Sequence, residues 1–138
     1  MNKKLKILLI EDDLIEVMKI ERAMVQLSLD HQLTIVKNGD EAIKILQNEN
    51  LELPDLILVD LYMSIMGGLE FLAILKSDSY LKVIPAIVLT ASINKRNIEE
   101  SYKMGIAGYI IKSLRYEEYV IKLKIILEYW CLNTLFKK

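Results

Sequence analysis

Five short apolar runs alternate along this chain with five segments of helical periodicity, and this order restricts the folds open to it. The runs are residues 7–10, 33–36, 56–59, 86–89 and 108–111, and the helical segments are residues 14–29, 40–48, 69–76, 94–104 and 115–132. Most runs are continuous rather than alternating, which is typical of strands covered on both faces. Parallel neighbours need helical crossovers. The pattern therefore predicts an α/β fold, a doubly wound five-stranded parallel sheet with five helices.

Length, charge and cysteine content exclude several classes of function. The 138 residues, 53% of them hydrophobic, fit one domain over residues 1–138. A net charge of -1 provides no large positive field, which argues against direct binding to nucleic acid or to an anionic membrane surface. The single cysteine, Cys131, and the single histidine, His31, exclude an intrachain disulfide and a Cys/His zinc cluster.

The distribution of apolar residues also bears on location and organisation. The apolar runs are too short to cross a bilayer, and the N-terminal MNKKLK leads into a strand without the apolar core of a signal peptide. We therefore predict a cytoplasmic protein. Because the sequence ends at Lys138, after the fifth predicted helix, we expect no output domain on the same chain and output through a partner or self-association.

Candidate ligand-binding side chains follow four of the five predicted strands. They are Glu11, Asp12 and Asp13 after the first run, Asp60 after the third, Thr90 after the fourth and Lys112 after the fifth. In an open α/β sheet, ligands bind beyond the carboxyl ends of the strands, where the strand order reverses. We therefore expect these carboxylates, the hydroxyl and the ammonium to meet at one edge of the sheet.

Most of these residues also have a purely structural explanation. Asp12 or Asp13 could cap the first predicted helix, and Thr90 could cap the fourth helix or the connection that leads to it. Lys112 could be a solvated lysine at a strand end. Asp60 resists such an explanation, because the loop LYMSIMGG that follows it contains no helix start for it to cap. The joint pattern is more specific than any of its members.

The chemistry of this set suits one task. Several carboxylates at hydrogen-bonding distance cannot all stay ionised without compensation, so Glu11, Asp12 and Asp60 together predict a divalent cation. Hard oxygen ligands favour Mg²⁺ or Mn²⁺. A carboxylate can also attack a phosphoryl group and form an aspartyl phosphate. The metal, the lysine and the hydroxyl would then stabilise the phosphoryl oxygens.

Four stretches, LLIEDD, ILVDLYMSIMGGLEFL, IPAIVLTAS and GYIIKS, resemble the receiver domain of bacterial two-component response regulators in order and spacing. The resemblance covers essentially the whole chain and implies the CheY-like sheet order 2-1-3-4-5. By this resemblance Asp60 is the phosphoacceptor, and Glu11 and Asp12 are the acidic pair. Thr90 is the switch hydroxyl, and Lys112 is the phosphate-binding lysine. The Tyr62 backbone carbonyl is a further metal ligand, and Tyr109 is the aromatic residue whose rotamer follows phosphorylation. The protein would then be a signalling phosphoacceptor that catalyses its own phosphotransfer and dephosphorylation, not a metabolic enzyme.

Two serines depart from the family pattern. Ser64 stands where the family usually has proline after the phosphoacceptor, and Ser113 replaces the proline that usually follows the lysine in a cis peptide. Because a cis bond without proline costs about 2.5–4 kcal/mol, we predict a trans Lys112–Ser113 bond. Gly67 and Gly68 should keep the tight turn of the loop.

The resemblance extends to stand-alone regulators that partner phytochrome-type or hybrid histidine kinases. A nucleotide-binding flavodoxin-like protein is disfavoured, because Glu11, Asp12 and Asp13 would repel phosphate without a metal. A haloacid-dehalogenase-type phosphatase needs a second acid where this chain has Tyr62. The remaining alternative is a pseudo-receiver that signals without phosphorylation, although no acidic-pocket residue is lost here.

Two further expectations concern individual surfaces. Tyr62 and Ser92 occupy positions that flank the approach of water in the family, so a bulky Tyr62 should slow hydrolysis unless it points to solvent. On the last helix, one apolar face should pack on the sheet, comprising Tyr116, Tyr119, Val120, Leu123, Ile126, Leu127 and Trp130. A second apolar stripe, Ile121, Ile125, Tyr129 and Leu132, predicts a two-fold homodimer unless the Phe136 tail or another protein covers it.

Overall fold

The computed structural model describes residues 3–136. The two residues at each end of the predicted 1–138 domain lie outside the described residues. The strands are β1 (Lys6–Ile10), β2 (Gln32–Val36), β3 (Leu56–Val59), β4 (Ala86–Thr90) and β5 (Gly108–Ile111). The helices are α1 (Leu14–Gln26), α2 (Gly39–Leu46), α3 (Gly68–Ser77), α4 (Lys95–Lys103) and α5 (Tyr116–Leu132), with a 3-10 turn at Leu81–Val83.

All strand pairs are parallel, and their order is β2-β1-β3-β4-β5. This confirms the predicted fold and strand order. From β1 the chain first adds β2 on one side and then β3 on the other, so the strand order reverses between β1 and β3. Ligands of such sheets bind beyond the carboxyl ends of the strands at this reversal.

Alternate residues of each strand pack into two separate cores, one on each face of the sheet. Ile7 and Leu9 of β1 join α1 and α5 in the first core, whereas Leu8 and Ile10 join α2 and α3 in the second. The residues of β3 are all buried. Coverage on both faces explains why the strands appeared as continuous apolar runs.

The first helix is shorter than its apolar pattern predicted. It ends at Gln26, and Ser28 adopts the left-handed conformation with φ 55°. Leu27 and Leu29 still pack against the first core from this non-helical segment. These two partly buried leucines extend the apolar pattern to residue 29. Periodicity indicates which side chains are buried, but not whether their backbone is helical.

Helix α5 presents the two apolar faces that its periodicity predicted. Its inner face packs on the first core through the seven predicted residues, of which Tyr116 and Trp130 are only partly buried. The outer stripe is exposed: Ile121 57%, Ile125 60%, Tyr129 57% and Leu132 85%. Phe136 lines a hollow with Pro85 and Leu135 instead, so the alternative that this tail covers the stripe is wrong.

The structure also bears on the predicted geometry of the Lys112–Ser113 bond and on the expected lack of a membrane-spanning segment. Residues 3–136 contain no cis peptide bond, so the Lys112–Ser113 bond is trans as predicted. None of the helices in that range combines the length and hydrophobicity that a bilayer-spanning segment needs.

Candidate functional site

Strand register aligns the predicted site residues in one row. Ile10 pairs with Val59 across β1 and β3, so the residues that follow them, Glu11 and Asp60, lie side by side. The Asp60 backbone N–H donates to Ile10 O at 3.1 Å, which extends the pairing by one residue. On the other side, the Lys112 N–H donates to Thr90 O at 2.8 Å. Backbone pairing therefore fixes where all four side chains start.

The ammonium of Lys112 lies among three carboxylates. Its Nζ is 2.5 Å from Glu11 Oε1, 3.5 Å from Asp60 Oδ2 and 3.7 Å from Glu16 Oε2. The lysine side chain is 10% exposed, so the alternative of a solvated strand-end lysine is wrong. The Lys112 backbone follows β5 at the edge of the sheet. Its side chain extends past β4, so that the ammonium reaches Glu11 and Asp60 at the ends of β1 and β3.

Sequence reasoning missed Glu16. This residue lies on α1, four positions after Asp12, and its Oε1 accepts a hydrogen bond from Lys19 Nζ at 3.3 Å. Its Oε2 is buried and, among the described residues, has no hydrogen-bond partner, and the Lys112 ammonium lies 3.7 Å from it. Asp12 precedes α1, so helical spacing does not relate it to Glu16, and the contact depends on how α1 packs beside β5.

The two aspartates after Glu11 have different roles in the structure. Asp13 is the N-cap of α1, with its carboxylate accepting from the Ile15 N–H at 2.9 Å. Asp12 instead accepts from the Ser64 N–H at 3.2 Å. Proline has no N–H, so the serine that departs from the family pattern is what permits this bond. The capping explanation therefore applies to Asp13 and not to Asp12.

Thr90 is fully buried at the end of β4 and does not cap the next helix. Its Oγ1 accepts from the Ser92 N–H at 3.4 Å, while the N-cap of α4 is Asn94. The Thr90 hydroxyl therefore does not cap α4, although it accepts a bond from the connection that leads to that helix. Thr90 therefore stays with the acidic residues as a candidate for chemistry.

Both predicted aromatic residues reach Ser92. The Tyr62 hydroxyl donates to Ser92 Oγ at 3.0 Å, and the Tyr109 hydroxyl donates to Ser92 O at 2.9 Å. Asn97 of α4 donates through its Nδ2 to Tyr62 Oη and to Ser92 Oγ, both at 2.9 Å. The sequence had no signal for Asn97, because only the fold brings α4 next to the loop after Asp60.

Gly68 keeps the loop after Asp60 close to the end of β3. Its N–H donates to Leu61 O at 3.0 Å, and a Cβ at this position would lie 2.7 Å from Leu61 Cα and would also collide with Asp60 O. Only glycine fits this approach of backbone to backbone. The loop is thereby held against the strand end that carries Asp60.

Negative charge exceeds positive charge in this pocket. Burial, together with the nearby charge of Asp60, raises the pKa of Glu11 to about 7 against the opposing effect of Lys112. Burial alone would lower the pKa of Lys112, but the hydrogen bond to Glu11 and the charge of Asp60 outweigh it and raise that pKa above its ordinary value. The pocket therefore favours an additional cation.

The donor chemistry fits a divalent metal, although the side chains are not arranged around one. Glu11, Asp12 and Asp60 supply only hard oxygen atoms, the preferred ligands of Mg²⁺ and Mn²⁺. Within residues 3–136, however, no three acidic, histidine or cysteine side chains are placed to hold a metal ion together. Asp12 is turned towards Ser64, and Glu11 towards Lys112. Metal binding would require these two side chains to reorient.

The raised pKa of Glu11 predicts a pH dependence of the metal-free protein. Between the ordinary value of 4.5 and about 7, the folded protein holds a proton that the unfolded chain has lost. This contribution to the free energy of unfolding is complete below pH 4.5 and is lost as the pH rises through about 7. Chemical denaturation across this window should show the loss in the wild type and not in Glu11→Gln.

An exposed glutamate supplies the control for this measurement. Glu49 lies in the loop after α2, and Glu49→Gln should leave the wild-type pH profile unchanged. Identical profiles for wild type and Glu11→Gln would contradict the prediction.

Comparison with known proteins places the chain among signalling domains. A family model described as the response regulator receiver domain matches residues 7–124. Response regulator Rcp1 of Synechocystis sp. is 33% identical over 128 residues, which cover 90% of this chain and 87% of Rcp1.

Two solved structures match nearly the whole chain. Phosphorylated RcpA, a cyanobacterial phytochrome response regulator, has a TM-score of 0.90 at 36% identity and covers 98% of this chain and 100% of its own. The Mn²⁺-bound form of Rcp1 has a TM-score of 0.88 at 32% identity and covers 96% of this chain and 99% of its own. The five-stranded order described above agrees with these structures.

Proposed function

Because the chain belongs to the response regulator receiver domain family, we propose that it is a switch which accepts a phosphoryl group from a histidine kinase on Asp60. Residues 1–138 would act as one receiver domain, without a metabolic reaction. The observation that carries this proposal is the position of the Asp60 carboxylate at the strand-order reversal, with Oδ2 3.5 Å from Lys112 Nζ.

The environment of Asp60 suits nucleophilic attack. Its Oδ1 accepts from the Leu61 N–H at 2.8 Å, which orients the carboxylate and leaves Oδ2 on the side of Lys112. Oδ2 would form a bond to phosphorus while the phosphorus–nitrogen bond of the kinase phosphohistidine breaks and the imidazole leaves with the electron pair. Lys112 would transfer from Glu11 to a phosphoryl oxygen, and the Thr90 hydroxyl would donate to another.

We place the metal on Glu11, Asp12, Asp60 and the Tyr62 backbone carbonyl, with Mg²⁺ or Mn²⁺ as the ion. When bound, the ion would neutralise charge on the phosphoryl oxygens. The oxygen-only donor set and the excess negative charge support this assignment, as does the Mn²⁺-bound form of the relative Rcp1. The coupling of phosphorylation to the Tyr109 rotamer is part of the same proposal.

The proposed partner is a cytoplasmic histidine kinase domain, of the phytochrome type or from a hybrid kinase. The similarity to a phytochrome response regulator supports this choice. Leu14, Ile15 and Met18 of α1 are 70%, 65% and 58% exposed beside the acidic pocket, which suits the docking of an apolar helical surface. Neither nucleic acid nor a membrane is a proposed partner.

The direct test is phosphorylation by a small donor. Incubation with Mg²⁺ and acetyl phosphate should add the mass of one phosphoryl group, and chelation of the metal should prevent the addition. Unchanged mass in both samples would favour the alternative function, a pseudo-receiver that binds its partner without phosphorylation.

We also propose a two-fold homodimer through the exposed stripe of α5. Ile121, Ile125, Tyr129 and Leu132 form a contiguous apolar row that no described part of the chain covers. The charged residues Lys124 and Glu128 flank the row with their side chains 3.8 Å apart. Apolar rows with a charged border are typical of protein interfaces, and an isologous contact would pair the stripe with itself.

A charge within this stripe should separate the dimer. Sedimentation at micromolar concentration should find a dimer for the wild type, strengthened by a phosphoryl analogue, and a monomer for Ile125→Glu. The matched control is Glu117→Gln, an exposed position in the first turn of α5 that should not alter the mass. A wild-type monomer under both conditions would rule out the homodimer.

A further inference from the structure

Glu16 brings a helix into a pocket that is otherwise built from strand ends. It lies in the first turn of α1, and its side chain is 18% exposed. Its buried Oε2 lies 3.7 Å from Lys112 Nζ and has no hydrogen-bond partner among the described residues. Buried polar atoms are nearly always hydrogen-bonded, so an unpaired carboxylate oxygen at this position needs an explanation.

The position of Glu16 does not depend on the side chains at the strand ends. Its Oε1 accepts a hydrogen bond from Lys19 Nζ, one turn further along α1, at 3.3 Å. The next residue, Val17, is buried in the first core, and its N–H donates to Asp13 O at 3.0 Å. The packing of α1 on the core therefore holds this carboxylate beside Lys112.

Glu11 is the main partner of Lys112 and is also a proposed metal ligand. Its Oε1 lies 2.5 Å from Lys112 Nζ, and its Oε2 accepts from the Asp13 N–H at 3.2 Å. Both carboxylate oxygens are thus engaged, so coordination of a metal requires Glu11 to turn away from Lys112. A buried charge that loses its partner is strongly unfavourable, and the ammonium then needs a second acceptor.

Glu16 is suited to be this second acceptor. Asp60 Oδ2, which lies 3.5 Å from Lys112 Nζ, is assigned to the phosphoryl group and its carboxylate to the metal. Glu16 has neither assignment, and its Oε2 needs to approach the ammonium by only about 1 Å to accept a hydrogen bond of ordinary length. A lysine ammonium has three N–H donors, so Lys112 can bind Glu16 and still donate to a phosphoryl oxygen.

We propose that Glu16 is a positioning residue that retains the Lys112 ammonium at the site when Glu11 and Asp60 turn to the metal. This inference rests on the proposed function, in particular on its metal site. The hydrogen bond of Lys112 passes from Glu11 Oε1 to Glu16 Oε2, without any covalent change. Glu16 touches neither the metal nor the phosphoryl group and acts only through Lys112.

This transfer links metal binding to a residue that is not a ligand. Because Glu16 lowers the free-energy cost of releasing Lys112 from Glu11, removal of its charge weakens metal binding. Calorimetric titration with Mg²⁺ alone measures the effect. Glu16→Gln should raise the Kd of Mg²⁺ about three- to tenfold, as the loss of one hydrogen bond predicts. The matched control is Glu21→Gln, an exposed position on the same helix that should leave this Kd unchanged.

Further variants distinguish positioning from simple attraction between charges. Glu16→Asp keeps the charge but shortens the side chain by one methylene, so it should weaken Mg²⁺ binding as Glu16→Gln does. In a Lys112→Met background, Glu16→Gln should change the Kd by less than about twofold, because the residue through which Glu16 acts is absent. Without metal, Glu16→Gln should not lower the urea midpoint, because it leaves the Lys112–Glu11 pair in place. A purely structural role would lower that midpoint.

Several outcomes would overturn the inference. They are wild-type Mg²⁺ affinity in Glu16→Gln or Glu16→Asp, an equal loss of affinity from Glu16→Gln with and without Lys112, and a lowered urea midpoint of metal-free Glu16→Gln. A wild-type protein that does not bind Mg²⁺ would reject the metal assignment and this inference together. Mg²⁺ binding without phosphoryl uptake from acetyl phosphate would reject the proposed phosphoacceptor, while the titrations still decide the role of Glu16.

Discussion

Asp60→Asn is expected to abolish phosphoryl uptake completely under conditions in which the wild type acquires one group. An amide oxygen has almost the size of the carboxylate oxygen but lacks its charge and nucleophilicity. It can still accept the Leu61 N–H, which Asp60 Oδ1 accepts at 2.8 Å, so the loop should keep its shape. Intact mass after incubation with acetyl phosphate and Mg²⁺ measures the effect.

The neighbouring Asp13 offers a matched control. Asparagine caps helices as well as aspartate does, so Asp13→Asn should keep the start of α1 and remain phosphorylated. Uptake of a phosphoryl group by Asp60→Asn at the wild-type rate would place the phosphoacceptor elsewhere and refute the central assignment.

Lys112→Met is expected to have the largest combined effect on activity and stability. The ammonium lies within 4 Å of Glu11, Asp60 and Glu16, and its removal leaves their charges in a buried pocket. Breaking such a buried ion pair by removing one partner costs about 3–5 kcal/mol of unfolding free energy. Loss of a preorganised donor to the phosphoryl group should also reduce the phosphorylation rate about 100-fold or more.

The origin of this destabilisation can be tested by adding cations. If unpaired carboxylates are the cause, Mg²⁺ should stabilise Lys112→Met more than the wild type, because a divalent ion supplies the missing charge. The exposed Lys103→Met, which removes only a surface pair with Glu99, should change stability by less than about 0.5 kcal/mol. Equal denaturation midpoints for Lys112→Met and the wild type would show that the lysine does not offset the buried charges.

The sheet was predictable because the burial of each strand produces a local run of apolar residues in the sequence. The three central strands are largely buried and the two edge strands are partly buried, so each appears as an apolar run. Helical crossovers between parallel strands must appear as helical periods. The end of α1 was not predictable in this way. Leu27 and Leu29 are partly buried without being helical, and a hydrophobic pattern does not distinguish a helical from a non-helical buried residue.

The core of the candidate site was also predictable, since residues that follow parallel strands must meet at one sheet edge. Glu11, Asp60, Thr90 and Lys112 were found on that principle, and the strand register brings them into one row. The roles given to them by family resemblance stay predictions until phosphorylation is measured. The sequence could not distinguish the roles of Asp12 and Asp13, because aspartate is a favoured N-cap residue at either position.

What the sequence determined by itself was therefore the order of the elements and the set of residues at the sheet edge, because both follow from periodicity along the chain. Only the tertiary structure decided which of these residues touch. It turned Asp12 towards Ser64, placed Glu16 beside Lys112, and joined Asn97 to Tyr62 across 35 positions of sequence. Such contacts depend on how helices pack against loops that are distant in the chain, and a one-dimensional pattern carries no information about that packing.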